Sequence, residues 1–374
     1  MAGQHEILAC SDADRWVQCP LAISISAMFP EVGEKPEAAE GDAFHWVCFE
    51  TIRGYPEVEI PVGTVAPNGV MVTQAMLEGV DLVLDAIGDK IAIKERLHLE
   101  EKVKNGVVHP TANGGTPDLW TFNYSVLDVF DWKFGYEYVD VYENWQLINY
   151  ALLILTHLKA VAPHDEHVMV NLHVVQPRCY SARGKHRTWS LKASDLRAYA
   201  NIMRTAAERA FAPNPPAATG DACKHCSGRH ACGTFQKVAG AAVDMSSVSV
   251  PLELTPEAVS AELRMLWVAQ GRMKARITGL EEQAKRILQS GTHMTQLHLV
   301  QAEGRETWTV PVDQVIALGQ MAGVDVSKPE VITPAQARKN GLNPDMIAAI
   351  VERPKAGFKL ELDDGTAARN AVKA

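Results

Sequence analysis

Two aspartates and a lysine stand at a spacing that can assemble a metal-binding site. Asp118 begins one segment rich in β-branched and aromatic residues, and Asp131 and Lys133 lie at the end of the next. If Phe122 faces Leu127 across a hairpin, the two aspartates face each other, and the alternation of strand side chains turns the lysine the same way. Facing carboxylates destabilise a sheet by up to roughly 1 kcal/mol, and a bound divalent cation reverses that effect. A cation with a lysine beside it suits phosphodiester hydrolysis, because both stabilise the charge that develops on the phosphoryl group.

Three motifs around these residues resemble a known family. They are Pro117-Asp118 followed by Asp131-Trp132-Lys133, then Gln146-x-x-x-Tyr150, and upstream Gly41-x-x-x-His45. Together they resemble the PD-(D/E)XK nuclease signature of the RecB-like branch, which includes iron–sulfur nucleases related to the CRISPR adaptation exonucleases and to phage-encoded homologues. The resemblance implies that Mg²⁺ or Mn²⁺ is bound by His45, Asp118, Asp131 and the main-chain carbonyl of Trp132. It also implies that Lys133 acts on the water and the developing charge, and that Gln146 and Tyr150 engage the substrate.

Three of the seven cysteines lie within ten residues, at Cys223, Cys226 and Cys232. Such packing indicates a metal centre more readily than disulfides in a reducing compartment. A zinc knuckle completed by His225 or His230 is one alternative. The stretch Arg15-Trp16-x-x-Cys19-Pro20 resembles the first ligand segment of the iron–sulfur nucleases. That resemblance implies a structural 4Fe-4S cluster held by Cys19, Cys223, Cys226 and Cys232, with the other cysteines as bystanders.

Composition limits the classes of function. The chain has 374 residues, 47% of them hydrophobic, and a formal net charge of −9. An acidic chain is a poor bulk coat for nucleic acid, although an enzyme can confine its basic residues to one groove. Neither a membrane span nor a signal peptide is indicated, so we expect a cytoplasmic protein without membrane contact. The phosphate-binding loop of an ATP-driven motor is also missing, which favours a stand-alone enzyme.

Hydrophobic periodicity and capping residues predict the elements that carry these motifs. Besides the hairpin of residues 118–133 and a short helix at 11–19, we expect helices at 37–52, 71–93, 141–158, 194–211 and 255–290, strands at 96–103 and 167–176, a linker at 241–250, a hairpin at 294–310 and a frayed end from 363. Glu100 and Glu101 point to opposite faces of their predicted strand, so one of the two faces the metal site.

The predicted fold class is α/β, a restriction-endonuclease-like mixed sheet flanked by helices, with an α-rich C-terminal appendage. We expect a nuclease domain over residues 1–240, closed by the cluster, and the appendage over 241–374. The helix predicted at 255–290 either packs within the chain or supports self-association, so an oligomer stays open.

The expected function is metal-dependent exonuclease digestion of DNA. The resemblance places it by analogy in phage or mobile-element recombination, with a phage single-strand-binding or annealing protein as a candidate partner besides DNA. Two alternatives stay open: a structure-specific endonuclease that uses the same residues, and a non-catalytic DNA-binding or scaffold protein that keeps the fold.

Overall fold

The structure is a computed structural model that describes most of the chain. The described residues are 6–30, 36–104, 106–158, 167–179, 181, 183–246, 255–303, 307–328, 330–331, 333–339, 342–352 and 355–362. The chain divides into two compact units, Met1–Arg276 and Ile277–Ala374. The predicted division at residue 240 into a nuclease domain and an appendage stays a prediction.

The described residues of the first unit form eight strands. They are β1 (Leu8–Ala9), β2 (Leu97–Leu99), β3 (Val103–Lys104), β4 (Asn113–Gly115), β5 (Leu119–Phe122), β6 (Val126–Trp132), β7 (Met169–Val175) and β8 (His186–Lys192). Five of them form a sheet in the order β2-β5-β6-β7-β8, in which β6 and β7 are parallel and the other neighbours antiparallel. A smaller mixed sheet has the order β1-β4-β3.

Helices cover both faces of the five-stranded sheet. The helices that begin in the first unit are α1 (Ala13–Gln18), α2 (Leu21–Met28), α3 (Pro36–Gly54), α4 (Gln74–Ile87), α5 (Trp145–His157), α6 (Leu196–Ala210), α7 (Gly233–Ser246) and α8 (Pro256–Gln289). Strand residues such as Leu127 and Val129 pack against α5 and α6, and Phe130 and Trp132 pack against α3 and α4. The prediction of an α/β fold with a mixed sheet flanked by helices is confirmed.

The β5–β6 hairpin has the predicted register. Phe122 pairs with Leu127, and Leu119 pairs with Phe130. The turn is held locally, because the Asn123 side chain accepts hydrogen bonds from the main-chain nitrogens of Ser125 and Val126, at 3.1 and 2.8 Å. An asparagine that closes its own turn in this way sets the register of the strands that follow.

Helices α2 and α7 were not predicted, and several of the predicted helices have other limits. Helix α4 is shorter than the predicted helix at 71–93, because the Thr73 side chain caps its start and Gly88, with φ of 59°, follows its last residue. The residues predicted as a linker from 241 continue α7 to Ser246, and 247–250 lie outside the described residues. The long helix α8 follows its predicted Thr255 cap, whose hydroxyl accepts from the Ala258 nitrogen at 3.2 Å.

Two strand predictions were wrong or incomplete. The strand predicted at 96–103 is divided into β2 and β3, which belong to different sheets, and Glu100 between them has a left-handed φ of 49°. Strand β8 was not predicted. Its residues 188–192 alternate polar and apolar, the pattern of a half-buried strand, and the sequence analysis did not use that signal.

The second unit has a small core of its own around Val315, Val326 and Ile347. Its elements are β9 (Leu297–Glu303), β10 (Thr307–Trp308), α9 (Val312–Met321), β11 (Ser327–Lys328), β12 (Glu330–Val331), α10 (Pro334–Lys339), α11 (Pro344–Ala348), β13 (Val351–Glu352) and β14 (Lys355–Leu362). The hairpin predicted at 294–310 is wrong, because β9 pairs with β14 and β10 with β13. The frayed end predicted from residue 363 lies outside the described residues.

Among the described residues, no helix combines the length and apolar character that crossing a membrane requires.

Candidate active site

The two aspartates of the hairpin meet at one end of the central sheet. Asp118 precedes β5, and Asp131 is the penultimate residue of β6. The two residues are only 9% and 3% exposed. The main-chain nitrogen of Trp132 donates to Asp118 Oδ2 at 2.6 Å, so the first carboxylate is fixed against the strand that carries the second. The hairpin therefore places the two acids side by side, as its predicted register requires.

His45 reaches this pair from helix α3. Its Nε2 donates to the carbonyl oxygen of Trp132 at 2.9 Å, and its Nδ1 lies 3.2 Å from Asp118 Oδ1. Burial by itself lowers the pKa of His45, but the negative charge of Asp118 outweighs it and raises that pKa to about 9. At neutral pH His45 is therefore an imidazolium that supplies positive charge to the carboxylates.

Lys133 completes the cluster on the other side of Asp131. Its ammonium nitrogen lies 3.1 and 2.9 Å from the two carboxylate oxygens of Asp131 and donates to Gln146 Oε1 at 3.2 Å. Gln146, in the first turn of α5, donates in turn to Asp131 Oδ1 at 2.8 Å. Burial lowers the pKa of Lys133, but the two aspartates raise it above its usual value, so the ammonium stays charged.

Tyr150 lies one helical turn after Gln146 and extends the same network. Gln146 Nε2 donates to the Tyr150 hydroxyl at 3.3 Å, and that hydroxyl donates to the carbonyl of Thr116 at 3.1 Å. Burial raises the pKa of Tyr150 well above its usual value. Tyr150 is thus a neutral hydrogen-bonding group that ties α5 to the segment just before Asp118.

The two carboxylates have different electrostatic surroundings. Burial raises the pKa of both, but His45 and Lys133 together lower that of Asp118 below its usual value. For Asp131, burial together with the repulsion from Asp118 prevails over Lys133, and its pKa is raised. The Oδ2 atom of Asp131 lies near the ammonium but has no aligned hydrogen bond, so it is a buried oxygen without a hydrogen-bond partner. Such a buried group is unfavourable unless it serves a ligand or a reaction.

These residues form a donor set that suits a hard divalent cation. Carboxylate and carbonyl oxygens favour Mg²⁺ or Mn²⁺, and one imidazole tilts the preference towards Mn²⁺. Both nitrogens of His45 are engaged with Trp132 and Asp118, so His45 must lose a proton and give up one of these contacts to bind a cation. Within the described part of the chain, no three or more His, Cys, Asp or Glu side chains already stand in a metal-binding arrangement. The metal ligands stay a prediction.

Glu100 is the member of the Glu100–Glu101 pair that lies near the site. Its main-chain nitrogen donates to the carbonyl of Asp118 at 3.2 Å, and its carboxylate lies 3.4 Å from Arg53. Burial raises the pKa of Glu100, Arg53 opposes that, and Asp118 raises it further. Glu101 instead faces His98, at 2.5 Å. Arg53, two turns after His45 on α3, is a positive charge near the site that the sequence analysis did not single out.

The four predicted cluster cysteines line one cavity of about 220 Å³. Cys19 ends helix α1, and the other three follow α6, about 200 residues later in the chain. The main-chain nitrogens of Ala218 and Gly220 donate to the sulfurs of Cys19 and Cys223, at 3.4 and 3.5 Å. Amide donors aimed at cysteine sulfurs are a common feature of iron–sulfur sites, because they stabilise the thiolates.

Neither His225 nor His230 is among the described residues that line this cavity. The ring of His230 packs against Phe29 and lies 3.1 Å from the carbonyl of Ser227. Four cysteine sulfurs around one cavity are the donor set of a 4Fe-4S cluster, in which each sulfur binds a different iron, and also of a four-cysteine zinc site.

Comparison with known proteins identifies a family and a structural neighbour. Residues 5–360 match the model of a family described as "Protein of unknown function (DUF2800)". The structural neighbour is a solved structure described as "Crystal structure of SSO0001", with 12% sequence identity and a TM-score of 0.30. The match covers 60% of this chain and 85% of that one. A TM-score this low carries no argument about the fold or the activity.

Proposed function

The chain belongs to the DUF2800 family of proteins of unknown function, and we propose that this member is a metal-dependent DNA exonuclease. One observation supports the proposal above the others. Asp118 just before β5, Asp131 and Lys133 at the end of β6, and His45 on helix α3 come together, and one carboxylate oxygen of Asp131 has no aligned hydrogen bond. Burial and the repulsion from Asp118 raise the pKa of Asp131 although Lys133 lies beside it, and a bound cation would relieve that repulsion.

In this proposal, His45, Asp118, Asp131 and the carbonyl of Trp132 hold Mg²⁺ or Mn²⁺, which supplies an activated water and polarises the phosphoryl oxygen. Lys133 orients the attacking water and stabilises negative charge on the phosphoryl group in the transition state. Gln146 keeps Lys133 and Asp131 in place through its two hydrogen bonds. Tyr150 accepts a hydrogen bond from Gln146 and donates one to the carbonyl of Thr116, so it ties α5 to the segment just before Asp118.

The cysteine cavity supports a structural 4Fe-4S cluster in the same domain. Cys19, Cys223, Cys226 and Cys232 would hold it, and it would join the N-terminal helices to the segment after α6. Protein purified without oxygen should be brown and absorb broadly near 400 nm, and a Cys223→Ser variant should lose that colour. A colourless wild type that contains one zinc ion per chain would instead establish the zinc knuckle.

The test of the activity is digestion of linear and covalently closed circular DNA, single- and double-stranded, with Mn²⁺. Wild type should degrade linear DNA and leave circles intact, and Lys133→Ala should be inactive. Cutting of circles would make the protein an endonuclease that uses the same site. Equal inactivity of both proteins on all substrates would favour a DNA-binding or scaffold protein that keeps the fold without the catalysis.

The biological setting belongs to the same proposal. By analogy with the nucleases that it resembles, the protein would process DNA ends in phage or mobile-element recombination, together with a single-strand-binding or annealing protein. Co-purification of the protein with such a partner on resected DNA would test this setting.

A further inference from the structure

The loop that follows Lys133 presents three tyrosine rings to solvent. It joins β6 to α5, and its residues Tyr136, Tyr138 and Tyr142 are 65%, 38% and 59% exposed. Large aromatic residues usually bury most of their surface, and a group of exposed rings on one loop indicates a binding surface. Because the loop begins directly after Lys133, anything bound to it lies beside the candidate active site.

The main chain of this loop is held rigidly although its rings are exposed. The side-chain nitrogen of the buried Gln176 donates to the carbonyls of Gly135 and Glu137, at 2.9 and 2.6 Å. The Gln176 side-chain oxygen accepts from the Val139 nitrogen at 3.2 Å, and the buried Arg187 donates to the Val139 carbonyl at 2.9 Å. The loop therefore keeps its shape through its backbone, and the tyrosine rings are free to contact a ligand at little entropic cost.

Arginines stand directly behind the rings. Arg178 lies over Tyr136, 5.1 Å from the ring centre, and Arg187 lies 4.8 Å from the centre of the Tyr138 ring. Arg183, which is largely exposed, donates to the Tyr138 hydroxyl at 3.4 Å. The two acids between the rings do not leave a negative surface, because Glu137 pairs with Lys224 and Asp140 pairs with Arg183.

A continuous series of ring contacts joins this surface to the candidate active site. The guanidinium of Arg178 lies 3.8 Å from the centre of the Phe134 ring, and Phe134 stacks on Phe44 with ring centres 4.4 Å apart. Phe44 precedes His45 on helix α3. These buried contacts connect the base of the tyrosine loop to helix α3, which carries His45 of the candidate active site.

We propose that Tyr136, Tyr138 and Tyr142 form a stacking surface for the bases of single-stranded DNA as it enters the site. The proposal rests on the proposed function and adds to it the form of the substrate. Exposed aromatic rings bind unpaired strands, because base faces are free only in an unpaired strand. Arg178 and Arg187 support the rings but are engaged within the protein, Arg178 by Glu40 at 2.6 and 3.0 Å and Arg187 by main-chain carbonyls. Duplex DNA offers phosphates but no free base faces, so the rings give it no advantage.

The test measures the affinity for a fluorescent 20-nucleotide oligothymidine by anisotropy, without added divalent metal so that the strand is not cut. Tyr136→Ala and Tyr142→Ala should each weaken binding by about 5- to 100-fold, the range expected for loss of one stacked base. Tyr136→Phe should stay within about twofold of wild type, since the ring and not the hydroxyl binds. The control is Tyr124→Ala, because Tyr124 is 76% exposed at the opposite end of β6 and should not affect binding.

The proposal is overturned by unchanged affinity in both alanine variants, by an equal loss in Tyr136→Phe, by an equal loss for duplex of the same length, or by a wild type that does not bind the single strand. Failure of the proposed function looks different. If wild type cleaves no DNA but the alanine variants still bind single strands more weakly, the stacking surface stands and the nuclease does not. If Lys133-dependent cleavage is present and the alanine variants bind and cleave as wild type, the nuclease stands and the stacking surface does not.

Discussion

Strand β6 carries two buried aspartates that have opposite surroundings. Asp128 and Asp131 are three residues apart, so they lie on opposite faces of the sheet, and each residue is only 3% exposed. Each also stands near a histidine and a lysine. His173 lies 3.2 Å and Lys90 3.7 Å from Asp128. Asp131, the acid of the candidate active site, lies 2.9 Å from Lys133, and His45 contacts the neighbouring Asp118.

Asp128 and Asp131 differ in the hydrogen bonds that their carboxylate oxygens accept. Asp128 accepts from Asn171 at 3.0 Å, from Thr121 at 3.4 Å and from His173. Burial raises the pKa of Asp128, but these hydrogen bonds outweigh it and the pKa is lowered. The other ring nitrogen of His173, Nδ1, is hydrogen-bonded to the hydroxyl of Thr188 at 2.9 Å. Such a carboxylate contributes to stability and needs no ligand.

Asp131 has the reverse balance. A second carboxylate faces it, one of its oxygens has no hydrogen-bond partner, and its pKa is raised. An aspartate, a histidine and a lysine in proximity therefore do not by themselves indicate a site. The indication comes from two buried carboxylates that face each other and from an Asp131 oxygen without an aligned hydrogen bond, and four experiments test that conclusion.

The largest expected effect is on catalysis. Asp131→Asn removes the charge without changing the shape and should lower the rate of DNA digestion by at least about 1,000-fold, or roughly 4 kcal/mol of transition-state stabilisation. Asp128→Asn is the matched control and should stay within about threefold of wild type. Initial rates on linear DNA with Mn²⁺ measure both, and an equal loss in the two variants would contradict the comparison.

The free energy of unfolding should fall more when Asp128 is replaced than when Asp131 is replaced. Asp128→Ala leaves His173, Asn171 and Thr121 without their common acceptor and should lower the free energy of unfolding by about 2–4 kcal/mol. Asp131→Ala removes a partner of Lys133, but it also relieves the repulsion from Asp118, and the Lys133 side chain is 30% exposed, so the loss should be smaller, about 1 kcal/mol. Urea denaturation without metal gives both values. A greater loss for Asp131→Ala would show that its ion pair with Lys133 is a structural element.

Binding of a divalent cation should separate the two clusters further. At about 100 times its dissociation constant, Mn²⁺ should stabilise wild type by roughly 2.7 kcal/mol, since it binds the folded state only. Asp128→Asn should keep this stabilisation and Asp131→Asn should lose it. Thermal unfolding with and without Mn²⁺ gives the comparison, and stabilisation that persists in Asp131→Asn would place the cation elsewhere.

The smallest expected effect is the pH dependence of the metal-free protein. The pKa of His45 is raised from its usual 6.5 to about 9, so its stabilisation is complete below pH 6.5 and is lost as pH rises towards 9. Because the His45 side chain is 29% exposed, we expect about 1–2 kcal/mol. The pKa of Asp128 is lowered from its usual 3.8, so its stabilisation is present above that pH and is lost as pH falls.

Melting temperatures of wild type and His45→Gln between pH 6 and pH 9.5 test the alkaline part of this prediction. The two proteins should differ most at pH 6 and converge near pH 9. A constant difference would mean that the ionisation of His45 does not contribute to stability. Asp128→Asn should lose stability at alkaline pH as wild type does, and it should lose less stability than wild type in acid.

Local features of the sequence predicted the parts of the site that lie close in the chain. The hairpin register follows from alternation and from the Asn123 turn, and helix α5 begins where Asn144 accepts a hydrogen bond from the Leu147 nitrogen, at 3.1 Å. Gln146 and Tyr150 contact each other because they are one helical turn apart. These features depend on contacts within a few residues, and a single sequence contains all of them.

The tertiary structure alone decided which distant residues contact these local elements and which carboxylates receive hydrogen bonds from them. Motif resemblance named His45 and Cys19, but only the fold brings His45 to a carbonyl 87 residues away and Cys19 to an amide 199 residues away. The hydrogen-bond partners of Asp128 come from β5 and β7, and His173 is held in turn by Thr188 of the edge strand β8. The two aspartates of β6 look alike in sequence. They differ because hydrogen bonds and burial, which set the cost of a charge, depend on every element packed around it.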